Sequence, residues 1–171
     1  MANMIPISTV TVGSGGAASI SFANIPQNYT DLYISFSCRI SASYGGLFYQ
    51  TNLTLNSTGS ENDKLLFGYG TTVGSNTAGG GQAILYGVTN SAATASTFGN
   101  GDIYIPNYTS SNKKSVSSDS VSESNDSGAV KSFLAGLFNV TSPVTSVKLE
   151  PYNSSSFAQY SSATLYGIRK Y

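Results

Sequence analysis

The chain has no histidine, no tryptophan and a single cysteine in 171 residues. Without histidine, the common general base, the Ser–His and Cys–His nucleophile pairs and every imidazole metal site are excluded. Cys38 has no partner for an intrachain disulfide. It falls in the alternating run Leu32, Ile34, Phe36, Cys38, Ile40, the position of a small buried hydrophobe. Charge is scarce too: 9% of residues, eight basic against eight acidic, where soluble domains carry roughly 25%. A chain with no net field neither steers toward nucleic acid nor adheres to an anionic membrane. No run approaches the roughly 18–20 apolar residues of a membrane-spanning helix, and MANMIPISTV lacks the basic start and apolar core of a signal peptide.

What fills the space is Ser, Thr and Asn, about a third of the chain, with twelve Tyr and eight Phe. Disorder requires low hydrophobicity with high net charge. Here 40% of residues are apolar and the net charge is zero, so a folded chain is expected, of a length suited to one domain over residues 1–171.

Period-two alternation dominates. Strands are expected at Ile5–Val12, Ala18–Ala23, Asp31–Ile40, Thr51–Asn56, Lys64–Tyr69, Gln82–Val88, Phe98–Pro106, Lys113–Glu123, Val130–Val140, Val144–Glu150 and Ser162–Arg169. Leu53 and Leu55 share one face, as do Ile103 and Ile105. Turn-forming segments separate the strands: GSGG at 13–16, STGSEND at 57–63, SNTAGGG at 75–81 and PNYTSSN at 106–112. The pattern predicts an all-β, antiparallel, jelly-roll-like sandwich of two four-stranded sheets. Two segments are ambiguous. Val130, Phe133, Leu134, Leu137 and Phe138 also fit helical spacing, but Gly136 and the following NVTSPVTSV favour a strand. Val116 and Val121 have opposite parity, so their strand either bulges or points one valine outward.

Catalytic groups do not assemble in the sequence. Ser–Lys pairs at Lys113–Ser115 and Lys131–Ser132 lie in no nucleophile motif. The eight carboxylates are scattered, whereas a glycosidase needs two facing one cleft. Asp119, Glu123, Asn125 and Asp126 could offer oxygen ligands to Ca²⁺, but a polar loop is the better reading of DSVSESND. The glycine clusters lack the Lys-Ser/Thr continuation of a phosphate loop. Asn-x-Ser/Thr sequons follow from composition and signal no glycosylation. The expectation is a non-enzyme with no cofactor and no metal. Tyrosines beside Asn and Ser suit sugar stacking or adaptable protein contacts, and Tyr44, Phe48, Tyr49 and Tyr108 form the candidate glycan or partner surface. Residues 1–8, with Met4, Ile5 and Ile7, form a candidate arm for anchoring to a larger assembly.

FANIPQNYTDLYISFSCR (Phe22–Arg39) resembles the opening of a group of virion structural proteins from tailed phages, notably cyanophages and other marine phages, with their N-I-P-x-x-Y-T-D-L turn matched by Asn24, Ile25, Pro26, Tyr29, Thr30, Asp31 and Leu32. FAQYSSATLYGI (Phe157–Ile168) is similar to the close of those proteins, F-A-x-x-S-x-A-T-L-Y-G-I. IYIPNYTSSNKKSV resembles their I-x-I-x-N-Y-x-x-x-x-x-K segment, and TNLTLNSTGSEND their L-x-x-N region without its usual Arg-Phe pair. The resemblance implies an all-β protein of a phage exterior, assembled in the host cytoplasm into the virion: a capsid decoration or cement protein, or a subunit of an external fibre or spike. It implies a homotrimer whose partners are itself and other virion proteins, such as the major capsid or tail proteins. The alternative is a glycan-binding host-attachment module of a tail or head fibre. Neither reading involves nucleic acid or membrane insertion.

Overall fold

The structure is a computed structural model that describes residues 3–43, 48–79, 83–122 and 129–169. Twelve strands follow in order: β1 (Asn3–Thr11), β2 (Ile20–Phe22), β3 (Asp31–Cys38), β4 (Phe48–Leu55), β5 (Ser60–Tyr69), β6 (Thr72–Gly79), β7 (Ala83–Thr89), β8 (Gly99–Ile105), β9 (Lys114–Ser122), β10 (Val130–Phe138), β11 (Val147–Pro151) and β12 (Ser162–Arg169). A short 3₁₀ turn, Tyr152–Ser154, follows β11.

The strands form two antiparallel sheets, an eight-stranded one in the order β1-β12-β3-β8-β9-β10-β5-β6 and a four-stranded one in the order β2-β11-β4-β7. The expected equal sheets are present as a kernel. Without the hairpins β5–β6 and β9–β10, the order β1-β12-β3-β8 against β2-β11-β4-β7 is that of a jelly roll. The two hairpins then extend the first sheet on one side only. Residues 130–138 are a strand, resolving the helical ambiguity: Val130, Ser132, Leu134, Gly136 and Phe138 turn inward, and Lys131, Phe133, Ala135 and Leu137 turn outward. β9 runs without a bulge, Val116 inward and Val121 outward. SNTAGGG, expected to be a turn, instead supplies most of β6, which pairs with β5 through a tight connection at Gly70–Thr71.

Alternation explains the core. Leu32, Ile34, Phe36 and Cys38 of β3, Ile103 and Ile105 of β8 and Leu165 of β12 face Ile20 and Phe22 of β2, Leu53 and Leu55 of β4, and Val147 and Leu149 of β11, all buried in one cluster. Toward β9 and β10 the apolar layer thins, and Ser118, Ser120, Ser122 and Ser132 are buried in its place. Small residues there let β7 approach the larger sheet. The hydroxyls of Ser120 and Ser132 converge on the Tyr86 carbonyl, and a β-carbon on Gly87 (φ 128°) would land on Ser120.

The residues that carry the resemblance are packed against one another. Asp31, fully buried, accepts the Tyr104 hydroxyl at 2.7 Å and the Asn107 amide at 2.9 Å. Tyr108 donates to the Pro26 carbonyl. The Tyr29 ring occupies the place a side chain at Gly167 would need, and Arg169 lies over that ring at 5.2 Å. At the far end of β3, Ser161 bonds both the Arg39 amide and the Arg39 carbonyl, each at 3.0 Å. The opening and closing segments are thus pinned to each other at both ends of the β3–β12 ladder.

Candidate functional surfaces

The eight-stranded sheet leaves its outer face uncovered by the smaller sheet, and three strand-based features offer ligand or partner surfaces. Along the middle of that face, Tyr33 and Tyr166 pair across β3 and β12 with centroids 6.2 Å apart. Beside them Asp102 and Asp119 stand directly opposite each other on β8 and β9, an arrangement of like charges that costs stability unless compensated. Lys131 ion-pairs with Asp119, and the Tyr33 hydroxyl bonds Asp102, its pKa raised by burial and then by that carboxylate. Tyr33, Asp102, Asp119 and Lys131 line a shallow depression of about 280 Å³.

The hairpin end of the same face is apolar. Val73 is 85% exposed, Leu66 58% and Phe133 51%. Leu66 is paired with Phe133 across β5–β10, and the three line a depression of about 320 Å³ beside edge strand β6. β6 carries neither charge nor proline. The opposite edge, β1, has Pro6 and a register shift between Pro6 and Ser8, both devices that discourage further strand pairing.

The third feature lies on the smaller sheet. After β11 the 3₁₀ turn lies beside β4 and borders an open cavity of about 470 Å³ lined by Ala18, Asn52, Glu150, Tyr152 and Ser155, among others.

Of the four residues of the expected tyrosine surface, the two whose side chains the structure describes are buried. Tyr108 is fully buried and Tyr49 only 8% exposed. Tyr108 fills the corner beneath Pro26, and Tyr49 packs at 6.3 Å on Tyr152, so neither ring is open for stacking from solvent. Tyr44 and the Phe48 side chain lie outside the described residues, as do Glu123, Asn125 and Asp126 of the suggested Ca²⁺ loop. Their companion Asp119 is engaged with Lys131. Residues 3–8 are not a separate arm, because they belong to β1 and pair with β12. Met4 is exposed, whereas Ile5 and Ile7 are half-buried. Cys38 is buried, and burial pushes its thiol up to about 12. Asn52, Glu150 and the apolar trio were passed over in the sequence because each becomes conspicuous only through neighbours distant in the chain.

Comparison with known proteins finds no matching family model and no matching curated protein.

Proposed function

We propose that this chain is a non-catalytic structural protein of a phage virion surface, either a capsid decoration or a subunit of an external fibre or spike. It works by docking on the particle and on copies of itself. The virion setting rests on the resemblance of its opening and closing segments to such proteins, and a jelly-roll order is one that capsid proteins use. The observation that carries the docking role is the apolar end of the large sheet. Leu66, Val73 and Phe133 are more than half exposed together, with the partly exposed Leu137 beyond them on the same face, and they adjoin an edge strand that itself carries neither charge nor proline. A second copy approaching edge to edge would meet no charge borne by β6 itself, only the Lys64 ammonium held on Thr77 at 3.0 Å, and would continue the sheet with the apolar strips side by side.

Mass spectrometry and antibody labelling of purified particles test the setting, and absence of the chain from particles refutes it. Light scattering of the whole chain and of a Val73→Lys/Phe133→Ser variant tests the surface. The parent is expected to self-associate and the variant to be monomeric and to lose particle occupancy. A variant that assembles like the parent refutes docking through this face.

A further inference from the structure

The cavity on the four-stranded sheet carries unused hydrogen-bonding capacity. Asn52 on β4 stands opposite Glu150 on β11. Asn52 is only 9% exposed, and its Oδ1 has no hydrogen-bond partner; nor does the Oγ of Ser155 on the other wall. A buried carbonyl left unpaired costs on the order of 1–3 kcal/mol, and native folds rarely leave such a group empty without a water, ion or ligand to satisfy it. The wall opposite the strands is held in an uncommon conformation, with Asn153 and Ser154 both left-handed at φ 57° and 55°.

We infer that this cavity is a binding site for a neutral saccharide. Asn52 Oδ1 and the Glu150 carboxylate are neighbouring acceptors suited to adjacent sugar hydroxyls, and Ser155 Oγ can donate or accept. Tyr152, braced against Tyr49 at 6.3 Å between centroids, supplies an aromatic wall for the apolar face of a pyranose. Charge narrows the ligand class. No Lys or Arg occurs among the described lining residues, which disfavours phosphate, sulfate or a sugar acid. The one carboxylate is ion-paired with Lys148 at 2.8 Å, too little negative charge for a divalent cation that takes six to eight oxygen ligands. A volume of about 470 Å³ lies within the usual range for small-molecule sites. This site lies on the four-stranded sheet, whereas the β5–β6 hairpin belongs to the eight-stranded one, and it is independent of the particle role.

The test uses the whole chain. A glycan array probes surface-attached sugars, and an NMR titration with neutral methyl glycosides probes free ones. At least one neutral sugar is expected to bind saturably at or below about 1 mM, with shifts at residues 150–155 and at the Asn52 side-chain amide. Asn52→Leu and Glu150→Gln should each weaken binding about tenfold or more, while Asn52→Leu melts no lower than the parent because it removes an unpaired buried carbonyl oxygen. No saturable binding in either format overturns the inference. Binding undiminished in both variants places the sugar elsewhere and overturns this site, and an Asn52→Leu protein that melts well below the parent assigns Asn52 a structural role instead.

Discussion

Removing the Asp31 carboxylate should be among the costliest single changes outside the apolar core. Asp31 is wholly enclosed. Its two oxygens hold groups more than seventy residues away: the Tyr104 hydroxyl at 2.7 Å and the Asn107 amide at 2.9 Å, the latter on a residue with φ 47°. Hydrogen bonds to a charged acceptor contribute about 1.5–3 kcal/mol each. Asp31→Ala loses both and leaves two donors facing a hole, offset by no longer burying a charge, so a loss of about 3–5 kcal/mol is expected. For a chain of this size that lowers Tm by roughly 6–20 °C. Asp31→Asn keeps one acceptor oxygen and should cost about half as much. Urea denaturation followed by circular dichroism measures both through the midpoint at constant slope. Tyr104→Phe completes a double-mutant cycle, in which the Asp31→Ala/Tyr104→Phe protein should be less destabilised than the sum of the singles by at least about 1 kcal/mol. An Asp31→Ala protein within about 1 kcal/mol of the parent, or strict additivity in the cycle, would refute the view that this carboxylate pins the β8–β9 connection to the start of β3.

Gly167→Ala should destabilise by about 1–3 kcal/mol, because the new methyl meets the Tyr29 ring; a Tyr29→Ala background should reduce that penalty, and urea midpoints of the four proteins decide it. The Cys38 thiol should resist a disulfide-exchange reagent at pH 8 in the folded chain and react promptly in urea, since it is buried and held protonated. Its folded pKa of about 12 lies above its ordinary value of 9.0, so the folded state keeps a proton the unfolded chain has lost. Stability is therefore full below pH 9 and falls by about 1.4 kcal/mol per pH unit above it. Cys38→Ala should delay the onset of that decline to above pH 10, where Tyr33 and Tyr108, both raised by burial, take over; an unchanged pH profile would refute the assignment.

Strands whose two faces differ were legible because burial writes itself into alternation, as at Leu32, Ile34, Phe36 and Cys38. β6 was not. An edge strand pairs on one side only and packs little, so TVGSNTAG needs no apolar parity and has the composition of a turn. The serines of β9 hid a different feature: Ser118, Ser120 and Ser122 face inward, and polarity alone cannot reveal that a second sheet comes close enough to need small side chains. Tyr108 sits in a polar loop and was expected outside, yet its hydroxyl finds the Pro26 carbonyl 82 residues earlier. The candidate cavity was equally illegible, because Asn52 and Glu150 become neighbours only through the β4–β11 register.

The position of β12 between β1 and β3 fixes an order of events during synthesis. Residues 3–11 have no partner in the sheet, and β3 lacks one of its two, until residues 162–169 have been made and can slide between them. The growing chain must therefore hold two strands with open edges until β12 emerges, a period in which pairing with another copy competes with completion of the fold. Pro6 and the bulge beside it lie on one of those waiting strands, where resistance to the wrong neighbour is useful before the right one exists.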